Sequence, residues 1–462
     1  MKKEIDIKNL KKVYFIGIGG SSMSGIAMIL KNFGIDVAGS DSRYTPVLDK
    51  LSNAGIKVYD SHDALNISSD IDLVVYTAAI NEDNVELLEA KKKNILLLER
   101  GPFLGELTKL YKNTIGVAGT HGKTSTTSML SSVFLEASLD PSIQVGSNLN
   151  LIDGNFRVGS SDNFIIEACE YKDSFLNFYL KSAIVLNIDN DHLDYFKNLD
   201  NIKKSFYNFV SKINEDGYLI VNNDDDNSCF LHKYTKAKVV SVGIKNKADY
   251  MAKNIVFDMD GHPSFDVYQS DNYIGRIDLN IFGEFNVLNA LSVIALALEY
   301  NISFENIYNG LKKYSGVSRR LEYKGTLNGA KVFDDYGHHP TEIMATVKGL
   351  KNKKFNESWV VFEAHTFSRL YEHLKDFAKA LINFDNIIII DIYAAREENT
   401  FDIHESDLIK EIKELGKDAI HISDHDEVIN YLKENVKSED VILTLGAGNV
   451  TKIANKIKEM NN

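Results

Sequence analysis

The 462-residue chain is predicted to be an α/β protein of three domains, each a largely parallel sheet covered by helices. Three observations predict this. Strand-like apolar runs alternate with helix-like periodic segments almost throughout, the pattern of parallel strands joined by crossover helices. The length exceeds what one ordinary hydrophobic core accommodates. Two glycine-rich turns, well separated in the chain, each follow an apolar run and precede a helical pattern.

The first segment runs from Val13 to about Glu106, with VYFIGI, DVAGSD, DLVVYTAAI and ILLLER as strands. Its first helix repeats Met23, Ile26, Ala27 and Leu30 on one face until Gly34 stops it. The second segment opens at NTIGVAGTHGKT and continues through NFIIEACE and SAIVLNIDNDH to the helix NVLNALSVIALALEY. The third follows GVSRRLEY, with KVFDDYGHHP, WVVFEAHTF, NIIIIDIY and DVILTLGAGN as strand-plus-loop units. The expected domains are residues 1–106, 107–314 and 315–462. No repeat or low-complexity stretch interrupts them.

Hydrophobic residues at 44%, charged residues at 25% and only 5 prolines fit a folded chain rather than a disordered one. Lys+Arg 52 against Asp+Glu 65 gives a formal charge of -13, which argues against a general nucleic-acid binder, because affinity for the phosphate backbone rests on clustered cations. Cys169 and Cys229 cannot build a disulfide framework, and no Cys-x-x-Cys pair points to structural zinc, so both are expected as free thiols. The N-terminal MKKEIDIKNLKK leads into a strand rather than a signal-peptide core, and no apolar run of about 20 residues occurs. The expectation is a cytoplasmic protein without a membrane partner.

The first turn, YFIGIGGSSMSGIA, matches the first two glycines of G-x-G-x-x-G with Gly17 and Gly19, and has Ser22 at the third. Small residues between strand and helix let the amides of Gly19, Gly20, Ser21 and Ser22 approach a diphosphate, which the helix N-terminus also favours. Asp41 follows the second strand at about the distance where an acidic residue meets a ribose hydroxyl. By itself this leaves three readings: a tight turn without ligand, NAD, or a nucleotide-sugar diphosphate.

The second turn, GVAGTHGKTSTT, is more specific. Gly119, Thr120, His121, Gly122, Lys123, Thr124 and Ser125 form a phosphate cradle in which Lys123 offers a cation to the β/γ-phosphates and Thr124 a hydroxyl to Mg²⁺. Val117 stands where the common form has its first glycine. Acidic residues at adjacent strand tips supply further metal ligands, and the candidates are Glu167, Glu170, Asp189, Asp191 and His192. The run Asp224–Asp226 reads as a solvated turn.

Taken in order, GIGGSSMSGIA, GTHGKTST, EACEYKDSFL, LNIDNDHLDY, FNVLNA, GVSRRLE, DDYGHHPTE and FEAHTFSR resemble the Mur ligases of peptidoglycan synthesis along the whole chain. The resemblance implies a Rossmann-like N-terminal domain for a UDP-sugar, a central P-loop ATPase domain with a mostly parallel sheet, and a Rossmann-like C-terminal domain closing over an amino acid. It implies ATP with Mg²⁺ or Mn²⁺, and an acyl phosphate formed on the lactyl carboxylate of UDP-N-acetylmuramate and then attacked by L-alanine. A monomer or weak homodimer is expected. Lys123 and Thr124 would hold phosphates and metal, with Glu167 and His192 as further ligands. Asn286 and Asn289 would lie by the adenine, and Arg320 and Asp334 would face the nucleotide. His338, His339, His365 and Arg369 would meet substrate carboxylates or the incoming alanine, one histidine taking the amine proton. Met23, Thr77 and Ala78 join Gly19, Gly20, Ser21, Ser22 and Asp41 at the UDP-sugar. The chain departs from the family pattern at Ser22, at Phe285 where histidine is common, and in EACEYKDSF and FEAHTF. GIGGSSMSG and FEAHTFSR favour the alanine-adding branch over the branch that recycles a tripeptide.

Overall fold

The strand Lys12–Ile16 is buried over its last four residues, as expected for an apolar run covered on both faces. It pairs in parallel with Asp36–Ser40 on one side and Leu73–Tyr76 on the other. Lys57–Tyr59 and Leu96–Glu99 complete a five-stranded parallel sheet. The chain therefore reverses direction across the sheet at its central strand, and the glycine-rich turn after Ile16 opens at that switch point, where crevices form beyond the strand ends. Helix Ser21–Asn32 follows, and ends with Ile35 N–H donating to Leu30 O across Gly34. Gly34 has φ 82°, the left-handed cap that glycine adopts without penalty.

This computed structural model describes residues 5–77, 79–258, 261–351, 355–395 and 397–461, without the side chains of residues 194 and 351. Ala78, expected at the UDP-sugar, lies outside the described residues.

In the second sheet Asn113–Ala118 is central, flanked in parallel by Asn163–Glu167 and Ser182–Val185. Tyr218–Asn222 and Lys238–Gly243 extend it, and the hairpin of Ser142–Leu149 with Gly154–Arg157 closes the opposite side. The outer strands Tyr250–Phe257, Pro263–Gln269 and Asn272–Asp278 were absent from the sequence expectation. Their burial alternates or is slight, so they lack the continuous apolar runs that reveal central strands.

The third sheet has the order Glu322–Leu327, Ala330–Asp335, Val441–Leu445, Ser358–Phe362, Asn386–Ile389 and Ile420–His421. All its neighbours are parallel except the first pair.

Backbone contacts group the chain into two units: Met1–Lys253, Val267–Gly275 and Leu288–Lys313; and Asn254–Asp266, Arg276–Val287 and Tyr314–Asn462. Within the first unit, Phe15 and Phe103 share one apolar cluster with Phe164 and Phe175. The N-terminal sheet and the central sheet are thus packed through a common core. Both cysteines are free, and among the described residues no helix is long and apolar enough to cross a membrane.

Candidate active site

The phosphate loop joins the buried strand Asn113–Ala118 to helix Lys123–Glu136. Gly122 caps that helix with φ 86°, and a Cβ there would stand 2.9 Å from Asn289 Oδ1, so both backbone and space require glycine. Asn289 is thereby placed beside the loop. Lys123 Nζ donates to Gly119 O at 2.6 Å and Thr120 O at 3.0 Å, and meets Glu170 Oε2 at 2.9 Å. Burial opposes the Lys123 charge, but Glu170, with Glu167 behind it, raises its pKa above the usual lysine value. A permanent cation therefore lies over the loop where phosphate oxygens would arrive.

Thr124 Oγ1 donates to Glu167 Oε1 at 3.1 Å, and Gly146 N–H donates to Glu167 Oε2 at 2.7 Å. Two expected metal groups are thus adjacent. His192 has φ 54°, packs against Tyr171 with the rings tilted by 39° and centroids 4.6 Å apart, and places Nε2 4.0 Å from Glu170 Oε1. Tyr171, not singled out from sequence, holds that ring. His121 N–H donates to Asn187 Oδ1 at 2.8 Å, and Thr120 Oγ1 accepts from Asp189 N–H at 2.9 Å, so the loop is laced to the strand end that carries Asp189. Ser125 is buried in the first helical turn. The Asp224–Asp226 stretch is a turn, as read, but it is not merely solvated. Asp224 accepts amides of Ile244, Lys245 and Asn246, and burial raises the pKa of Asp225.

At the first turn, Gly17 and Ile18 donate to Ser40 O, and Gly19 N–H donates to Asp41 Oδ2 at 2.9 Å. Asp41 was expected at a ribose hydroxyl; here its other oxygen accepts from Arg43 N–H. The carboxylate on Gly19 shows the turn holding an anionic oxygen, which is the chemistry a diphosphate would use. Thr77 abuts Gly17, whose Cβ would lie 2.9 Å from Thr77 Cγ2, and Met23 is buried in the helix. Gly20 and Ser21 are exposed, and Ser22 Oγ accepts from Arg100 Nη1 at 3.2 Å and from Gln144 Nε2. Behind the turn, the fully buried Glu86 accepts from Tyr14 Oη, Ser40 Oγ and Asn66 Nδ2, with His62 Nδ1 at 2.9 Å. None of Arg100, Gln144 or Glu86 was marked from sequence. Only Arg100, at a strand end where loops gather, gave a signal that could have been used.

In the second unit, His338, His365 and Arg369 come together. The His338 and His365 centroids are 5.5 Å apart, and Arg369 Nη1 lies 3.0 Å from His365 Nδ1. A guanidinium only donates, so His365 carries its proton on Nε2. His338 Nδ1 lies 3.1 Å from Tyr336 O, a carbonyl that only accepts, so Nδ1 is the donor there. His339 is buried against His373 instead, at 4.8 Å between centroids. Burial first, then His338 and Arg369, lowers the His365 pKa to about 4, which removes it as a proton acceptor matched to neutral pH.

Arg320 pairs with Glu342 Oε1 at 3.6 Å. Asp334, expected to face the nucleotide, is fully buried instead and accepts from Thr444 Oγ1 at 2.6 Å and Thr451 Oγ1 at 2.7 Å. Arg319, beside the expected Arg320, lies 3.7 Å from Asp334 and reaches three loop carbonyls. Asn286 Nδ2 donates to Phe282 O at 2.7 Å. Asp335 is also buried, and that burial raises its pKa to about 6, against Arg320 and the amides of Gly337 and Leu321.

These two shifts act oppositely on stability. For Asp335, raised from 3.8, the stabilising contribution is complete below about pH 3.8 and lost as pH rises through about 6. For His365, lowered from 6.5, it is complete above that value and lost as pH falls toward about 4. Asp335→Asn is expected to expose the histidine's acid destabilisation between pH 6.5 and 4, and His365→Gln the reverse slope. Denaturant unfolding across this range checks both; parallel profiles in wild type and variants would contradict it.

Three family models match successive parts of the chain: Mur ligase family, catalytic domain, over residues 12–112; Mur ligase middle domain over 117–297; and Mur ligase, glutamate ligase domain, over 319–448. The UDP-N-acetylmuramate--L-alanine ligase of Clostridium acetobutylicum is 48% identical over 450 residues, covering 97% of this chain and 98% of that protein. The chain belongs to the Mur ligase family. The protein of the same name from Caldanaerobacter subterraneus is 44% identical, covering 99% of each. The solved UDP-N-acetylmuramate-alanine ligase of Thermotoga maritima superposes with a TM-score of 0.80 at 26% identity, covering 97% of this chain and 99% of that one. The three-domain α/β expectation therefore stands as the fold of a Mur ligase. Its cradle residues fit a nucleotide triphosphate: a left-handed glycine, a buried lysine over loop carbonyls, and a threonine on an acidic partner. Among the described residues, the one group of three potential ligand atoms within 4.8 Å is Asp391, Glu405 and His421, away from this Mur ligase loop in the sequence.

Proposed function

We propose that the chain is an ATP-dependent ligase joining L-alanine to the lactyl carboxylate of UDP-N-acetylmuramate, with release of ADP and phosphate, in peptidoglycan precursor synthesis. The observation that carries this is a Lys123 phosphate loop in a chain that matches alanine ligases end to end. A carboxylate does not condense with an amine at neutral pH without activation, and transfer of the γ-phosphoryl group to it gives an acyl phosphate that the amine can displace. We assign residues 1–106 to the UDP-sugar, 107–314 to ATP and 315–462 to the amino acid, acting as a monomer or weak homodimer in the cytoplasm.

Lys123 and the loop amides would align the phosphates and offset their charge, which supplies most of the catalysis in phosphoryl transfer. Thr124 and Glu167, with His192, would hold Mg²⁺, which neutralises phosphate charge when bound. Asn289 would contact the adenine side. Gly19, Gly20, Ser21 and Ser22 would clamp the UDP diphosphate. In the C-terminal segment, Arg369 would meet a carboxylate, and His338, whose ring is held through Nδ1 on Tyr336 O beside His365, would take the amine proton.

Phosphate release from ATP, measured with UDP-N-acetylmuramate plus L-alanine, L-serine, glycine or the tripeptide, tests the proposal. Release that depends on both the sugar nucleotide and L-alanine is expected. Release that ignores the sugar nucleotide would overturn the ligase reading, and faster turnover with the tripeptide would select the recycling activity.

A further inference from the structure

We propose that Ser22 is a positioning residue that couples occupancy of the glycine-rich turn to the phosphate loop through the strand Ser142–Leu149. The inference rests on reading the turn as the sugar-nucleotide site and the loop as the ATP site.

Ser22 stands where a dinucleotide-type turn has its third glycine, and a glycine there could make none of the contacts its hydroxyl makes. Ser22 Oγ accepts from Arg100 Nη1 and from Gln144 Nε2. Ser21 O accepts from Asn155 Nδ2 at 2.9 Å, and Gly25 lies so close to Phe156 that a Cβ would approach its Cβ to 2.9 Å. The first two turns of helix Ser21–Asn32 are thus stitched to the hairpin of Ser142–Leu149 and Gly154–Arg157.

Gln144 is the decisive member. It is 7% exposed, its Oε1 has no hydrogen-bond partner among the described residues, and Ser22 is the partner found for its Nε2. The serine hydroxyl is therefore the one hydrogen-bond partner of that buried amide among the described residues, and it fixes the rotamer. Gln144 pairs with Ile166, the residue before Glu167. Two residues along the same strand, Gly146 N–H holds Glu167 Oε2, and Glu167 Oε1 receives Thr124 Oγ1. A Cβ at Gly146 would lie 2.8 Å from that carboxylate, so the strand backbone bears directly on it.

A serine hydroxyl can donate its own proton while accepting from two donors. A diphosphate over the turn would accept a hydrogen bond from the Ser22 hydroxyl and fix Oγ, holding Gln144 and the strand in the position that clamps Glu167 against Thr124. Linkage then requires each ligand to tighten the other by the same factor.

The test is equilibrium binding of a non-hydrolysable ATP analogue to the full-length protein, with and without saturating UDP-N-acetylmuramate. Wild type is expected to bind the analogue about tenfold more tightly with the sugar nucleotide present. In Ser22→Gly, with the sugar nucleotide raised until it saturates a turn that has lost one hydroxyl contact, the ratio of affinities falls close to one, while Ser22→Thr, which keeps a hydroxyl, restores it. Gln144→Leu, which fills the same space without an amide, gives the same loss and serves if Ser22→Gly does not fold. A Ser22→Gly or Gln144→Leu protein that keeps the wild-type ratio overturns the proposal, as does a wild-type ratio of one. Wild type that binds no UDP-N-acetylmuramate at all would instead remove the sugar-nucleotide reading beneath it.

Discussion

Lys123→Ala is expected to abolish ligase turnover, by roughly 10³-fold or more, while leaving UDP-N-acetylmuramate binding measurable. The rate loss follows from removing the cation over the phosphate loop, whose Nζ lies 3.0 Å from Thr120 O and 2.9 Å from Glu170 Oε2. A second loss has a different origin. Glu170 is 2% exposed, and without Lys123 it becomes a buried carboxylate facing only His192, at 4.0 Å, among the described residues. Breaking a buried pair from one side costs about 3–5 kcal/mol, so the single variant confounds catalysis with folding. Lys123→Ala with Glu170→Gln separates the two. The double variant should recover most of the stability in urea unfolding and remain inactive in phosphate release. Persistent instability would contradict the buried-pair account. Loss of sugar-nucleotide binding in the refolded double variant would contradict the division of labour between the two loops.

The same residues show which parts of the site the sequence could reveal. Gly122, Lys123 and Thr124 were legible because a phosphate cradle is local: the strand, the left-handed glycine and the helix N-terminus lie within a few residues of one another. Helix Ser21–Asn32 was legible through its apolar spacing and Gly34. The partners of Ser22 were not, because Gln144 comes from a strand 122 positions away, and nothing in the spacing of either segment reports that they meet. Asp41 shows a similar limit. Its distance after the second strand is right for a ribose, yet in this structure its carboxylate bonds Gly19 N–H, a choice set by the close approach of the two strand ends. Asp334 and Asp335 look alike in the sequence, both ending a strand before Gly-His-His. Strand alternation sends them to opposite faces, one toward Thr444 and Thr451 and the other toward Leu321 N–H and Gly337 N–H.

Arg319→Ala is expected to destabilise the C-terminal unit by about 3–5 kcal/mol, because it leaves Asp334 buried at 0% exposure without its cation. The guanidinium also donates to Gly446 O at 2.5 Å and Ala447 O at 3.2 Å, and lies 4.8 Å from the Tyr336 ring. Arg319 O in turn accepts from Tyr336 N–H at 2.7 Å. One residue thus ties the loop after Val441–Leu445 to the segment that carries His338. Its backbone has φ 62°, a left-handed conformation that a non-glycine side chain holds only when its surroundings fix it. Arg319→Lys keeps a charge but not the planar fork, so it should recover part of the stability. Adding Asp334→Asn to Arg319→Ala removes the uncompensated charge, and the double variant should be less destabilised than the sum of the two singles. Additive losses in urea unfolding would show that Asp334 does not depend on Arg319. If the tie also positions His338, Arg319→Lys will lower kcat for L-alanine more than it raises KM for ATP. An unchanged kcat in the folded lysine variant would confine Arg319 to stability.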